Sequence, residues 1–335
     1  MLIDSFGRTL DYLRVSVTDR CNLRCVYCMP PEGVPWKAHD SMLRFEEILH
    51  LAGIMAGLGI SKIKVTGGEP LVRRGMNFFL KNLKAVSGIE RVTLTTNGLL
   101  LGRYLDEAET PGEGALPDGI NISMNAIDGG RFGRLTGETK ARPKEILSNI
   151  DRLIEKRIRV KINCVPVRGF NEEEILPLTL LAREKDIAVR FIELMPLGSG
   201  ADLKPVPGGE TAALIEKAFG TLTPFSGVEG SGPAVYYSLP GFAGKIGFIN
   251  PVSRGFCETC NRLRLTSEGF LKPCLSSSTG VDLRALLRSG ASDADIADAI
   301  TETAIKKPGF HTFSDVYTDA GNKERKPDGM FKFGG

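Results

Sequence analysis

The chain has 335 residues, 42% of them hydrophobic, which is enough to bury one large core together with a smaller appended unit. Its net charge of +3 is too small to suggest a nucleic-acid-binding protein. No apolar run approaches the roughly 20 residues needed to cross a bilayer, and the first residues do not form a secretion signal. We therefore expect a soluble, cytoplasmic enzyme that acts neither at a membrane nor on nucleic acid.

Short β-branched runs alternate with helical patterns along the first two thirds of the chain. Strands are predicted over 12–18, 60–66, 90–96, 119–124, 158–165 and 187–194. Helical periodicity covers 45–58, 76–86, 143–157 and 172–185, with Gly59 and Gly88 placed as stops. This alternation predicts an α/β protein with a parallel sheet, either a partial TIM-like barrel of six βα units or an open sheet.

The composition changes at 205–232, where Gly, Pro and Ser concentrate around one short helix. We therefore divide the chain into a barrel domain over 1–225 and a smaller C-terminal domain over 226–335. Helices are predicted over 283–288 and 293–305. From Lys306 the sequence is polar and reads as a flexible tail that ends in Gly334 and Gly335.

In βα architectures the chemistry lies in the loops at the carboxyl ends of the strands. The first predicted strand leads into a cysteine-rich loop, the second into Gly-Gly-Glu-Pro over 67–70, the third into Asn97-Gly98, and the last into 195–200. We expect these loops to face one mouth.

Three of the seven cysteines, Cys21, Cys25 and Cys28, fall within CNLRCVYC. Thiolates at this spacing suit an iron–sulfur cluster, and three ligands leave one iron of a four-iron cubane open. A zinc site completed by a distant ligand such as His39 is the alternative.

A second set of three, Cys257, Cys260 and Cys274, lies in the C-terminal third. A zinc ribbon would normally show four cysteines, so this set indicates a second cluster with an open iron. Strand alternation places Lys161 and Cys164 on opposite faces of one strand, and we interpret Cys164 as a core residue.

Consecutive Gly67 and Gly68 would let the backbone approach a ligand closely, as suits an amino-acid moiety, although such a sequence alone also fits an ordinary turn. Single cations stand between apolar neighbours in four predicted strands: Arg14, Lys64, Lys161 and Arg190. Any one of them could snorkel outward or pair with an acid, but four together favour a triphosphate. Arg262 and Arg264 share one strand face and suit phosphate oxygens, although solvated arginines on a hairpin are the alternative.

Through CNLRCVYC and GGEP the chain resembles the radical S-adenosylmethionine (SAM) superfamily. Within it, the chain resembles the GTP 3',8-cyclases of molybdenum cofactor biosynthesis, through LRVSVTDRCNLRCVYC, KVTGGEPLVRR, LTTNG, RFIELMP, FCETCNRLRL and the closing Gly-Gly. The resemblance implies two [4Fe–4S] clusters and SAM as cofactors. It implies that a 5'-deoxyadenosyl radical abstracts H3' of GTP, which then closes to (8S)-3',8-cyclo-7,8-dihydroguanosine 5'-triphosphate, the first step of molybdopterin formation.

The resemblance also assigns residues. Cofactor contacts are Tyr27, Gly68, Ser123 and Met195. The substrate contacts, to which the strand pattern adds Arg190, are Arg14, Lys64, Thr95, Lys161, Arg262, Leu263 and Arg264. The terminal Gly334 and Gly335 would support catalysis.

The resemblance implies three partners: GTP as substrate, an electron donor and, downstream, cyclic pyranopterin monophosphate synthase. Whether the chain forms a homodimer is left open. Two positions depart from the family pattern. Asn125-Ala126 replaces the usual continuation after Ser123, and Lys64 stands where many relatives have arginine, which keeps the charge but loses the guanidinium fork.

Two other hypotheses remain. A radical SAM peptide maturase would usually need more than three C-terminal cysteines. A non-catalytic electron carrier or zinc-stabilised interaction module would leave GGEP and the strand cations unexplained. His39, His50 and His311 show no ligand or triad spacing, so we assign them to solvent or packing.

Overall fold

The computed structural model describes residues 1–35, 37–110, 114–138, 142–227, 230–313 and 329–332. The strands within these ranges are β1 (Tyr12–Ser16), β2 (Lys62–Thr66), β3 (Arg91–Thr96), β4 (Gly119–Ser123), β5 (Arg159–Cys164), β6 (Ala188–Ile192), β7 (Thr223–Pro224), β8 (Val235–Ser238), β9 (Lys245–Ile249), β10 (Arg262–Leu265), β11 (Phe270–Lys272) and β12 (Val281–Asp282). The helices are α1 (Phe45–Gly57), α2 (Met76–Lys84), α3 (Leu101–Glu109), α4 (Gly129–Thr136), α5 (Pro143–Glu155), α6 (Ile175–Glu184), α7 (Gly208–Phe219), α8 (Leu283–Arg288) and α9 (Asp293–Ile305).

Strands β1 to β6 lie side by side in chain order, and each pairs in parallel with the next. Between consecutive strands the chain forms helices whose apolar faces pack against the sheet. This is the six-unit partial βα barrel expected from the sequence, and the prediction of the fold class is confirmed.

The C-terminal part of the chain extends both edges of this six-stranded unit. Strand β10 pairs in parallel with β1, while β9 pairs in parallel with β6. The described sheet therefore runs in the order β12-β11-β10-β1-β2-β3-β4-β5-β6-β9-β8-β7. A domain boundary at residue 225 stays a prediction, but strands from beyond it border the barrel interior at two separate places.

Alternation along β5 sends its residues to opposite sides of the sheet, as the sequence predicts. Ile162 and Cys164 are fully buried in the main hydrophobic core, whereas Lys161 and Asn163 line cavities inside the barrel. The side-chain nitrogen of Asn171 lies 3.7 Å from the Cys164 sulfur. The assignment of Cys164 to the core is confirmed.

Two helices were not predicted. The first, α3, follows Asn97-Gly98 directly, and its sequence LGRYLDEAE is short and largely polar. The second, α4, contains three glycines, which have low helix propensity. It forms because the Asp128 side chain accepts from the Arg131 amide at the N-cap and because Gly137 ends it with a φ of 70°.

Helices α8 and α9 begin and end where the sequence places them. The other predicted elements differ at their ends by a few residues; 172–185, for example, begins as a 3-10 turn, Glu172–Glu174, before α6. Of the tail, the structure describes 306–313 and 329–332, the latter with a 3-10 turn over Met330–Lys332. Gly334 and Gly335 lie outside the described residues.

A partly buried ion pair ties α8 to the barrel. Glu47 in the first turn of α1 accepts from Arg288 Nε at 2.8 Å and Nη2 at 3.0 Å, and it also accepts from the Arg44 amide at 2.7 Å. The hydrogen bonds from Arg288 outweigh the effect of burial and lower the pKa of Glu47 to about 2. The carboxylate therefore favours the folded state while it stays ionised.

We expect Glu47→Gln to lower the free energy of unfolding by about 2 kcal/mol at pH 7, because it removes a charge-assisted bidentate contact. Because the folded-state pKa lies below the unfolded value, this contribution is complete above about pH 4.5 and is lost as the pH falls towards 2. Urea unfolding of iron-free protein at pH 7 and pH 3 measures both effects. Glu302→Gln, which breaks an exposed pair with Lys306, is the control and should change little. A pH-independent effect of Glu47→Gln would contradict the prediction.

Candidate functional site

The barrel interior holds three neighbouring cavities. The first-cysteine cavity, about 930 Å³, lies at the carboxyl ends of the strands and is lined by Cys21, Cys25 and Cys28. The second-cysteine cavity, about 1040 Å³, is lined by Cys257, Cys260 and Cys274. These two share the lining residues Thr95, Asn163, Ile192, Met195 and Met330. The basal cavity, about 600 Å³, lies at the amino ends of the strands and shares Lys64 and Arg190 with the second-cysteine cavity.

The first cysteine loop is folded by local hydrogen bonds. The amides of Cys28 and Met29 both donate to the Cys25 carbonyl, at 2.9 and 3.0 Å. The Leu23 amide lies 3.4 Å and the Asn97 side-chain nitrogen 3.8 Å from the Cys21 sulfur. The three cysteines of this loop line one cavity.

Burial makes these thiols difficult to ionise. It raises the pKa of Cys21 to about 11 and that of Cys28 to about 12, and it raises the pKa of Cys25 well above its ordinary value. Neighbouring cysteines raise the Cys25 and Cys28 values further. Thiolates at this place need a compensating cation, and the irons of a cluster provide one.

The zinc alternative placed His39 as a distant fourth ligand. The structure contradicts it, because His39 is exposed and lines a separate cleft on the outside of the cysteine loop. Among the described residues, no group of three His, Cys, Asp or Glu side chains is placed to hold a single metal ion.

The Gly-Gly pair brings two loops into direct contact. The Gly68 amide donates to the Thr18 carbonyl at 2.7 Å, and a Cβ on Gly68 would lie 2.4 Å from the Arg20 carbonyl oxygen. A side chain there would push the cysteine loop away. Gly67 and Gly68 line the first-cysteine cavity with no side chain between the backbone and the cavity, which fits the close approach of an amino acid.

The neighbouring Glu69, which the sequence analysis left without a role, locks this loop to β3. Its fully buried carboxylate accepts from the Asn97 amide at 2.6 Å, the Thr96 hydroxyl at 2.7 Å and the Leu71 amide at 3.0 Å. Burial raises its pKa to about 7, and these three donors oppose the rise. Glu69 thus positions Asn97, whose side chain contacts Cys21.

The predicted cofactor contacts Tyr27, Gly68, Ser123 and Met195 all line the first-cysteine cavity. Asn125, where the chain departs from the family pattern, donates to the Tyr27 hydroxyl at 2.8 Å and accepts from the Val165 amide at 2.8 Å. The Asn125 side chain therefore fixes the Tyr27 ring at the cavity wall.

A hairpin assembles the second cysteine set. Cys257 and Cys260 precede β10, and Cys274 follows β11, so antiparallel pairing of these strands returns the chain to the same place. Burial raises the pKa of Cys257. Burial also acts to raise the pKa of Cys260, but the charges of Arg262 and Lys307 outweigh it and lower the value to about 7.

Lys307 was not singled out from the sequence, because it is the second of two adjacent lysines at the start of a polar stretch. Its ammonium is buried and donates to the carbonyls of Arg262 at 2.8 Å and Pro273 at 2.6 Å. His311 was assigned to solvent or packing. It stacks on Phe313 and also lines the second-cysteine cavity.

The predicted substrate cations point into the barrel. Arg264, Arg14 and Lys64 are direct neighbours on three adjacent strands. Burial, followed by the charges of Arg190, Arg14, Lys161 and Arg262, lowers the pKa of Lys64 well below its ordinary value. Burial and the neighbouring arginines likewise lower the pKa of Arg14 to about 10.

Neutral amides orient Arg190, which donates to Asn163 Oδ1 at 2.9 Å and to Asn121 Oδ1 at 2.6 Å. Lys161 lines the basal cavity and lies 3.3 Å from the Tyr236 hydroxyl. Thr95 lines both cysteine cavities. The structure thus brings these residues to one connected interior space.

A substrate contact through Leu263 stays a prediction. The Leu263 side chain is fully buried in the hydrophobic core, because strand alternation turns it away from the face that carries Arg262 and Arg264. Only its backbone could contact a ligand.

Comparison with known proteins first places the chain in a class. The model of the Radical SAM superfamily matches residues 15–182, and the model named Molybdenum Cofactor Synthesis C matches residues 187–313. Solved structures of Streptococcus suis SuiB share the fold: the one bound to S-adenosylmethionine has a TM-score of 0.60 and 14% identity, covering 93% of this chain and 75% of that chain. The chain therefore belongs to the radical SAM superfamily. It is an enzyme that uses an iron–sulfur cluster and SAM.

Full-length relatives then give the particular family. The GTP 3',8-cyclase of Clostridium perfringens (strain 13 / Type A) is 40% identical over 98% of each chain. That of Heliobacterium modesticaldum is 43% identical over 94% of this chain and 95% of the relative, and that of Moorella thermoacetica is 40% identical over 99% of both. The chain belongs to the GTP 3',8-cyclase family. Within the described ranges, no helix is both long and apolar enough to span a membrane.

We expect Gly68→Ala to abolish SAM binding, because the added methyl group would collide with the Arg20 and Asp19 carbonyls and displace the Gly-Gly backbone. Equilibrium dialysis with labelled SAM on the cluster-loaded protein measures this. Gly53→Ala in α1, where a Cβ meets no atom within 4 Å, is the matched control and should bind normally. Unchanged SAM affinity of Gly68→Ala would contradict the proposed close approach.

Proposed function

We propose that this chain cyclises GTP to 3',8-cyclo-7,8-dihydro-GTP in the connected space between its two cysteine sets. One observation carries the proposal: two neighbouring cavities are each lined by three cysteines, and a cluster of cations lines the second of them. The family relationship supplies the reaction, and the geometry supports a division of the residues into three parts.

The first part would hold the cluster and SAM. Cys21, Cys25 and Cys28 would ligate three irons, and the side-chain-free backbone at Gly67 and Gly68 would accept the amino-acid end of SAM. When bound, this pair supplies a radical able to abstract a hydrogen atom. The chain positions it through Glu69 and Asn97 on one side and through Tyr27 with Asn125 on the other.

The second part would hold another [4Fe–4S] cluster with an open iron for the guanine base. Cys257, Cys260 and Cys274 leave room for a fourth ligand from the substrate. The lowered pKa of Cys260 supports this assignment, because Arg262 and Lys307 already favour a thiolate.

The third part would bind the triphosphate. The contributing side chains are Arg14, Lys64, Lys161, Arg190, Arg262 and Arg264. Their mutual repulsion is costly in the free protein and would be relieved by a polyanion. Guanidinium groups suit bidentate phosphate contacts, while Lys64 and Lys161 act as point charges.

A peptide substrate is the second hypothesis, since the SuiB structure in complex with precursor peptide SuiA also shares the fold, with a TM-score of 0.62 at 14% identity. The buried cation cluster favours a nucleotide over a peptide. The catalytic role of Gly334 and Gly335, the downstream synthase and a homodimer stay predictions.

Anaerobic reconstitution tests the activity. We expect about eight irons per chain from two cubanes, and we expect the cyclised nucleotide by mass spectrometry when reductant, SAM and GTP are supplied. SAM cleavage with GTP left intact would overturn the substrate assignment. An iron content of about four would overturn the second cluster.

We expect Lys64→Gln to raise the KM for GTP by about tenfold or more, because one buried phosphate-binding charge is lost. The same variant should raise the melting temperature of the substrate-free protein, because repulsion from Arg190 and Arg14 is relieved. Steady-state kinetics and thermal unfolding measure the two effects. Lys306→Gln on the surface is the control. A variant that is both less stable and normal in KM would contradict the role.

A further inference from the structure

A cleft on the outside of the barrel, separate from the interior cavities, carries a local excess of positive charge. This arginine cleft, about 1710 Å³, is lined by Arg20, Arg44, Arg73, Arg74 and Arg288, together with the carboxylates of Asp40 and Glu46. The chain as a whole has a net charge of only +3, so five arginines in one cleft are a concentrated feature.

The arginine cleft and the first-cysteine cavity lie on either side of the first cysteine loop. Thr18 and Arg20 line the cleft, while the next residue, Cys21, lines the first-cysteine cavity on the other side of the loop. The Gly68 and Glu69 amides hold this loop by donating to the Thr18 and Arg20 carbonyls, at 2.7 and 2.8 Å. A redox group in the cleft would thus lie against Arg20, the residue that directly precedes Cys21 in this hydrogen-bonded loop.

Two of the arginines shape the cleft. Arg73 donates to the Val17 carbonyl at 2.6 Å and the Leu43 carbonyl at 2.8 Å, and its guanidinium stacks over the Phe45 ring at 4.0 Å. Arg288 is bound to Glu47. Both are fixed by the fold and make the walls rigid.

Two others present their charge outward. The Arg44 side chain is 73% exposed, although its guanidinium also lies 3.5 Å from the Glu47 carboxylate, and Arg74 is exposed. A site for a small anion would normally enclose its charged groups, as the barrel interior does. Exposed guanidinium groups at the rim of a rigid cleft are instead typical of a protein interface, where arginine is enriched and electrostatic complementarity steers association.

We propose that the arginine cleft docks a small acidic one-electron carrier protein that reduces the first cluster across the Cys21 loop. In each transfer the carrier loses one electron, the cluster gains it, and no proton or bond changes hands. The proposal rests on the proposed function, which requires an electron but does not state where it enters.

The test reverses the charges of Arg44 and Arg74, the two arginines at the rim of the cleft. It then compares two electron sources for the same variant. Arg44→Glu/Arg74→Glu is compared with the parent, with reduced flavodoxin as the acidic carrier or with dithionite, and 5'-deoxyadenosine formation is measured. We expect the KM for flavodoxin to rise about tenfold or more and the dithionite rate to stay within about twofold. The parent rate with flavodoxin should fall steeply with salt, and that of the variant should not.

Arg103→Glu/Arg142→Glu, two exposed arginines outside the cleft, is the matched control and should keep the parent KM. Arg44→Gln/Arg74→Gln should show a smaller rise and guards against misfolding of the charge-reversed variant. An unchanged KM, an equal effect in the control, loss of the dithionite rate in both rim variants, or a parent that flavodoxin cannot reduce would each overturn the docking site. Missing cyclised product with dithionite would instead overturn the proposed function.

Discussion

The concentration of buried positive charge inside the barrel is the constraint on which the rest of the site depends. Arg14 and Lys64 lie side by side, and burial together with neighbouring cations disfavours the charged form of each. Neutral amides, Asn121 and Asn163, orient Arg190 without cancelling its charge. A carboxylate in their place would stabilise the free protein and remove the reason for a polyanion to bind.

Neutral and charged groups are separated along the barrel axis. The carboxyl ends of the strands, near the first cysteine set, carry Thr66, Thr96 and Ser123, whereas the cations lie deeper and towards the amino ends. This separation keeps the arginines and lysines of the wall away from the first cluster site. It leaves polar walls without lysine or arginine where the amino acid of SAM would bind, with Glu193 as a lining carboxylate, and it reserves the cationic region for a nucleotide.

The sequence predicts much of the sheet and of the site, because side chains alternate between the two faces of a strand and this alternation is visible in the local sequence. The six parallel strands, the core position of Cys164 and the shared face of Arg262 and Arg264 all follow from it. Contacts between distant segments could not be read in this way. Lys307 meets Cys260 only after the C-terminal chain folds back, and α4 forms despite its glycines because a cap and a buried face compensate for low propensity.

The way the barrel is completed makes the site a property of both halves of the chain. Strands β1 and β6 would be open edges in a barrel built from the first six units alone, with unpaired backbone groups along each. Strand β10 covers one edge and brings Arg262 and Arg264 beside Arg14, while β9 covers the other. The same pairing that removes the open edges therefore adds two of the six cations and places the second cysteine set at the cavity. Because the β10–β11 hairpin that covers the β1 edge also carries Arg262 and Arg264, folding of this hairpin onto the barrel and assembly of the nucleotide site are one event.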